Sequence, residues 1–172
     1  MHFLNRLFGQ GDASQSSDSE WPALEALEKK LNRLDSGDAK VLAAKALLMG
    51  RLAYADSEIS KTEKAAIETI LQEDLGLNSS EAKCVTELSL EKNISEIIHT
   101  HHLVGILREH FDFDTLQIDQ FLKILFRIAC AEDISEEESE NIWVVANGLG
   151  MTRKRFMELR SEFRDHLSVL KF

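Results

Sequence analysis

The chain has 172 residues, of which 44% are apolar, and it contains a single proline. It is long enough to bury a core and too apolar to remain disordered, so it predicts one soluble globular domain. The net charge of −10 disfavours general binding to nucleic acid or to anionic membranes.

The first twenty residues predict two segments outside the folded body. Residues 1–8 form a short amphipathic unit, which is either a loosely packed end or an anchor that makes weak contact with a membrane surface or a partner. Residues 9–20 are rich in Gly, Ser, Asp and Gln and predict a flexible linker. The apolar members of the first unit are Phe3, Leu4, Leu7 and Phe8.

Cysteine usage and hydropathy predict a cytoplasmic protein. Cys84 and Cys130 lie in apolar helical stretches, which favours buried, reduced thiols over a disulfide and hence a reducing compartment. No apolar run approaches the roughly 20 residues that span a bilayer. Asn5 and Arg6 interrupt the apolar N-terminus, which therefore does not predict a signal peptide.

Residues 21–172 predict an all-α domain of about seven to eight helices, because apolar residues recur at helical spacing and nowhere alternate for long. The run 116–128 is apolar on nearly every side and predicts a central buried helix. The predicted helices cover about residues 22–34, 41–52, 61–74, 78–90, 93–107, 114–128, 136–146 and 152–167.

Capping residues mark several of these helix ends. Asn78 with Glu81, and Asp114 with Gln117, have the spacing of an N-cap and its partner three residues on. Gly76 suits the left-handed position that ends a helix.

The helices fall into two repeat units, at about residues 41–90 and 116–165. Arg51 lies 76 positions before Arg127, Ser60 lies 75 before Ser135, and Gly76 lies 74 before Gly150. We therefore expect a duplicated helix–turn–helix unit with pseudo-twofold packing, in which one residue is missing from the second turn and one from the second helix.

Each unit contains an acidic turn between two helices, and the two turns hold six candidate site residues. The pairs Ser60–Glu63 and Ser135–Glu138 match the capping box, in which serine and glutamate satisfy each other's backbone N–H groups. The candidates are Asp56, Glu58 and Glu63 in the first turn and Glu132, Asp133 and Glu138 in the second.

Capping does not explain the leading acids of the turns. Asp56 and Glu132 fall where a helix ends, and the helix dipole disfavours an anion there. The same ends expose carbonyl oxygens without intrahelical partners. Carboxylates and carbonyls within a few residues are ligands for Ca²⁺ or Mg²⁺ rather than Zn²⁺. The residues leave open a divalent-cation site and a solvated acidic turn.

Two further clusters carry alternative sites. His99 and His102 are predicted on one helix face, where a zinc site would need Glu96 or His110 as a further ligand, and surface histidines are the more common outcome.

The last predicted helix carries a basic ridge, defined as Arg153, Arg160 and Arg164, on the face opposite Phe156. The ridge is either a solvated face paired with neighbouring glutamates or a docking site for an acidic protein partner or phosphate. No aromatic residues interleave with these arginines on the exposed side of the predicted helix, so the ridge does not predict nucleic-acid binding.

No nucleophile elbow, phosphate loop or zinc-protease motif occurs in the sequence. The sequence thus predicts a protein that is not an enzyme. A metal-dependent enzyme remains the least favoured alternative.

The pattern A-x-A-D-x-x-I-S-x-x-E, followed by L-G-L or L-G-M, resembles the TerB-like domain over residues 41–163. This family is named for bacterial tellurite resistance. The resemblance implies a bundle of about seven helices with opposed charged faces, which binds a divalent cation or a protein partner in tellurite, metal or envelope stress. A purely structural interaction domain without metal is the alternative.

Carried over by position, the resemblance implies metal ligands at Asp56 and Glu63, and at Glu132 or Asp133 with Glu138. The chain departs from the family pattern in two respects. Its first turn has a serine after Asp56 where the family has glycine, and its second turn is one residue shorter.

Overall fold

Seven α-helices occupy most of the chain that the computed structural model describes, which comprises residues 36–54, 60–90 and 99–167. A 3₁₀ helix at Arg164–His166 follows the last of them. The all-α class predicted from the sequence is confirmed. The segment 1–8, the linker 9–20 and the helix predicted at 22–34 lie outside the described residues. The helices are α1 (Ser36–Ala53), α2 (Lys61–Glu73), α3 (Ser79–Ser89), α4 (Thr100–Phe111), α5 (Thr115–Ala129), α6 (Glu136–Gly148) and α7 (Arg153–Ser161).

Helix α5 lies at the centre of the bundle, as the sequence predicts, and packs against α1, α2, α6 and α7. Its large buried side chains include Phe121, Leu122 and Phe126. The predicted burial of the run 116–128 is wrong for Leu116, which is 64% exposed. Leu116 shares its helix face with Gln120 and Arg127, and that face meets solvent.

Local side-chain chemistry sets most helix starts. Asn78 and Glu81 form a complete capping box before α3, and Asp114 accepts hydrogen bonds from the N–H groups of Leu116 and Gln117. These caps confirm the predictions made from spacing. Each cap satisfies backbone donors that have no partner inside the helix.

The predicted continuous helix from residue 93 to 107 is wrong at His99. This residue has extended backbone angles (φ −73°, ψ 145°) and stands as the N-cap of α4. Helix α4 therefore begins at Thr100, and residues 91–98 lie outside the described part of the chain. Apolar spacing does not reveal this break, because an extended residue leaves the pattern of apolar residues on either side intact.

The repeat extends to matching helices and matching stops. Helices α2 and α6 both contain 13 residues, and Gly76 and Gly150 both have positive φ, at 64° and 92°. The expectation that the second helix has lost a residue is wrong, because the missing residue lies in the stop. The N–H of Met151 reaches back five residues to the carbonyl of Ala146, whereas the N–H of Leu77 reaches back six to Leu71.

The last predicted helix is shorter than its apolar stripe. Helix α7 ends at Ser161, and the chain then turns so that the Phe163 ring stacks on Phe126 at 4.8 Å. Leu167 reaches the second acidic turn and forms an isolated parallel bridge with Ile134. No helix within residues 36–54, 60–90 and 99–167 has the length and apolar character needed to cross a membrane.

Candidate functional site

The second acidic turn connects α5 to α6 and is held at several points. Cys130 closes α5, and the N–H of Ala131 donates to the carbonyl of Ile128 at 3.0 Å. Ile134 is 1% exposed, and its N–H donates to the carbonyl of His166 at 2.7 Å. The turn is therefore anchored by the C-terminal segment as well as by its own helices. The sequence did not predict this anchor, since nothing in the local pattern pairs Ile134 with residue 166.

Glu132 and Asp133 lie on the exposed part of this turn. Glu136 and Glu137 follow in the first turn of α6 and are also exposed. Four solvent-facing carboxylates thus lie within six residues, next to a backbone that is fixed on both sides. The helix dipole favours the two glutamates at the start of α6, whereas Glu132, just after α5, has no such stabilisation.

Both serine–glutamate pairs form complete capping boxes. In the first, the N–H of Ser60 donates to Glu63 Oε2 at 2.9 Å and the N–H of Glu63 donates to Ser60 Oγ at 3.0 Å. In the second, the corresponding distances for Ser135 and Glu138 are 2.8 and 3.1 Å. The capping interpretation is confirmed for all four residues.

The caps limit what Glu63 and Glu138 can offer a cation. The two residues are only 5% and 6% exposed, and one carboxylate oxygen of each accepts hydrogen bonds within its box. Ser135 Oγ adds a further hydrogen bond to Glu138 Oε2 at 2.8 Å. Both glutamates therefore act first as buried helix caps.

Cys130 lies close enough to Glu138 for the carboxylate charge to affect the pKa of its thiol. Burial, and then the negative charge of Glu138, raises the pKa of the Cys130 thiol to about 11. Burial also raises the pKa of Cys84, with a smaller contribution from the charge of Glu87. Both cysteines are free, as the sequence predicts, and Cys84 is buried as predicted whereas Cys130 is only half-buried.

The structure describes only part of the predicted cation site. Asp56 and Glu58 lie in residues 55–59, outside the described part of the chain. Within residues 36–54, 60–90 and 99–167, no three His, Cys, Asp or Glu side chains are grouped so that they could hold a metal ion. Glu132 and Asp133 are therefore the described candidates whose side chains face solvent.

The predicted pairing of His99 with His102 on one helix face is wrong. His99 precedes α4 and stacks instead on His101, with ring centroids 5.6 Å apart. The break at His99 removes the helical spacing on which the zinc alternative depended.

The predicted basic ridge is also wrong in its geometry. The Arg153 guanidinium lies 4.6 Å from the centroid of Trp143 and 5.5 Å from that of Phe156, so it does not face away from the Phe156 stripe. Arg160 donates to Ser139 Oγ at 2.8 Å, and Arg164 lies beyond α7 in the 3₁₀ helix. Two of the three arginines thus pack α7 onto α6.

Comparison with known protein families finds a match that covers most of the described helices. The family described as "Tellurite resistance protein TerB" matches residues 41–161, which include both acidic turns and both stops. No curated protein and no solved structure matches the chain. The family match covers well over half of the 172 residues, and the chain belongs to the tellurite resistance protein TerB family.

Proposed function

We propose that this chain is a non-enzymatic binding module and that its acidic turns bind a divalent cation. The observation that carries the proposal is the exposed pair Glu132 and Asp133 on a turn anchored by the bond from Ile134 to His166. Neighbouring carboxylates repel one another, and a bound cation relieves that repulsion. A fixed backbone lowers the entropy lost when the ligands are ordered.

The ligand chemistry favours Ca²⁺ or Mg²⁺ over Zn²⁺, because every candidate donor is an oxygen. Glu63 and Glu138 are engaged in their caps, so the proposal assigns the binding oxygens to the leading acids of the two turns. These are Asp56 and Glu58 in the first turn and Glu132 and Asp133 in the second.

Thermal unfolding tests the proposal. The melting temperature of the full chain is measured with Ca²⁺, Mg²⁺, Mn²⁺ or Zn²⁺ and with a chelator. An ion present at 100 times its Kd stabilises the folded state by about 2.7 kcal/mol. The double variant Glu132→Gln, Asp133→Asn should lose that stabilisation.

A matched control separates binding from simple charge screening. Glu136→Gln with Glu137→Gln makes the same change in net charge four positions later and should keep the response to the ion. If no ion stabilises the chain, or if both double variants lose the response equally, the cation proposal is wrong.

A second candidate function is docking of a basic protein partner without metal. The completed capping boxes favour it, because Ser60–Glu63 and Ser135–Glu138 satisfy the helix start that follows each turn without a bound ion. A labelled lysine-rich peptide should then bind in the presence of chelator, with an affinity that falls as salt rises. Binding that is unchanged in Glu132→Gln, Asp133→Asn would contradict this function.

We place the module in the cytoplasm and link it to tellurite, metal or envelope stress. The free thiols of Cys84 and Cys130 support the cytoplasmic location. The family match supports the link to tellurite, metal or envelope stress. Growth of a tellurite-sensitive bacterium that expresses the chain should exceed growth with the Glu132→Gln, Asp133→Asn variant. Equal growth with both would contradict the link.

A further inference from the structure

A groove lies between α1, α5 and the C-terminal ends of α2 and α4, and none of the residues assigned to the cation lines it. Its volume is about 550 Å³, within the range of small-molecule sites. Its floor is apolar, since Phe111 and Phe121 are each 2% exposed and their ring centroids lie 6.1 Å apart. Leu75 and Ile124 extend this floor.

The rim of the groove carries three cations, Lys45, Lys123 and Arg127. Carboxylates balance two of them, because Glu162 pairs with Lys123 and both Glu73 and Asp74 pair with Arg127. Lys45 is the rim cation that could attract an anionic ligand.

Two of the three cations already have carboxylate partners. Arg127 donates to Asp74 at 2.9 Å, and Lys123 lies 2.7 Å from Glu162. These ion pairs hold the side chains at the rim, and part of each cation stays exposed, since Lys123 and Arg127 are 42% and 46% exposed.

Lys45 differs from both. Within the described residues no carboxylate lies within 4.0 Å of its ammonium group, which instead stands 5.4 Å from the centroid of the Phe111 ring. Burial lowers the pKa of Lys45. A half-buried ammonium has lost part of its hydration, and the ring face compensates for only some of that loss.

We propose that this groove binds a small organic anion, with its carboxylate or phosphate at Lys45 and its apolar or aromatic body on the floor formed by Phe111 and Phe121. The anion supplies the counter-charge that Lys45 lacks in the described structure. The apolar body removes Leu75 and Ile124 from water. This site is independent of the cation site, since the two share no residue.

Phenylacetate and phenyl phosphate are suitable probes, with phenylacetamide as the neutral match. In an NMR titration of the full chain, both anions should shift the backbone amides of Lys45, Phe111, Gln117 and Gln120. The anions should bind about tenfold more tightly than the amide, as expected for one charge-assisted hydrogen bond. Equal binding of acid and amide, or shifts confined to other helices, would overturn the proposal.

Variants identify the cation responsible. Lys45→Met should weaken phenylacetate binding about tenfold, whereas Lys45→Arg, which keeps the charge, should retain most of it. Lys83→Met removes an equivalent charge from the exposed face of α3 and should leave binding unchanged. Retention of the wild-type amide spectrum by Lys45→Met shows that the variant is folded.

Titration of Lys45 gives a second measurement. A bound anion stabilises the ammonium form, so saturating phenylacetate should raise the Lys45 pKa, read from its side-chain carbon shifts, while phenylacetamide should not. If Lys45→Met binds phenylacetate as tightly as Lys83→Met does, or if the Lys45 pKa is unmoved, the groove is not this anion site.

Discussion

Glu63 and Glu138 show why a buried carboxylate need not indicate a ligand. Each is almost fully removed from water, and each accepts the N–H of its own N-cap serine. A buried charge is tolerated when hydrogen bonds replace its hydration, and hydrogen bonds to charged groups are stronger than neutral ones. The two glutamates therefore stabilise helix starts without any bound ion.

Replacement of Glu138 tests whether this carboxylate stabilises the start of α6. Glu138→Ala leaves the N–H of Ser135 without its acceptor, so the free energy of unfolding should fall by about 1–2 kcal/mol. Urea unfolding measures the change. Glu137→Ala, one position earlier and exposed, should alter stability by less than about 0.5 kcal/mol. Equal effects of the two variants would contradict the capping role.

The Cys130 thiol offers a test that depends on pH. With its pKa raised from 9.0 to about 11, Cys130 should be about 1% thiolate at pH 9, where an ordinary cysteine is half ionised. Iodoacetamide should therefore modify Cys130 roughly fiftyfold more slowly than an unfolded thiol, in a Cys84→Ser background.

The raised pKa of Cys130 also makes the stability of the folded chain depend on pH. The folded state holds the thiol proton more tightly, so this contribution to stability is complete below pH 9 and is lost as the pH rises to about 11. Glu138→Ala should speed the modification, since it removes one cause of the raised pKa. A fast reaction in the folded chain that urea does not accelerate would contradict the assigned burial.

At the scale of helices, α1 and α3 approach closely at Gly50. A Cβ placed at Gly50 would stand 2.4 Å from the carbonyl oxygen of Ser89, which is backbone and cannot yield easily. Gly50→Ala should therefore lower the free energy of unfolding by about 1–3 kcal/mol.

Gly105 is the matched control for Gly50, because it lies inside α4 and a Cβ there meets nothing within 4 Å. Gly105→Ala should raise the free energy of unfolding by up to about 1 kcal/mol through helix propensity alone. Thermal unfolding of both variants checks the pair. If both substitutions stabilise the chain, α1 and α3 do not pack as closely as described.

The elements that the sequence predicts well are those set by local chemistry. Asn78, Asp114 and the two serine–glutamate boxes cap the helices at the positions expected, because each cap needs only residues within three positions. Gly76 has the predicted positive φ for the same reason, and its repeat counterpart Gly150 also has a positive φ. These local signals are sufficient to identify the duplicated unit.

The features that the sequence does not predict depend on contacts between distant residues. The break at His99, the end of α7 at Ser161 and the bond from Ile134 to His166 leave no periodic trace. Arg153 could not be placed from helical spacing, because its position is set by the Trp143 ring on α6. The Lys45 groove joins residues of α1, α4 and α5 with the segment that follows α2, so no single stretch of sequence indicates it.

For the molecule as a whole, α5 joins the two repeat units into one structure. It belongs to the second unit, yet it packs against α1 and α2 of the first as well as α6 and α7. Its side chains Phe126 and Leu122 are fully buried in a core that includes residues of both units, such as Ile67 and Phe156. Unfolding of either repeat unit would expose core side chains of the other unit to water. We therefore expect the two units to unfold in a single cooperative transition.

Unfolding of a variant with one tryptophan tests this coupling. In Trp21→Phe, the fluorescence of Trp143 reports on α6, while circular dichroism reports on all helices. Ile67→Ala in α2 leaves a cavity in the core and should cost about 2–5 kcal/mol. Because the units unfold together, the urea midpoints from fluorescence and circular dichroism should fall by the same amount.

The exposed Gln72→Ala on the same helix is the control and should move neither midpoint appreciably. A fluorescence midpoint that stays fixed while the helix signal splits into two steps would show that the units unfold separately.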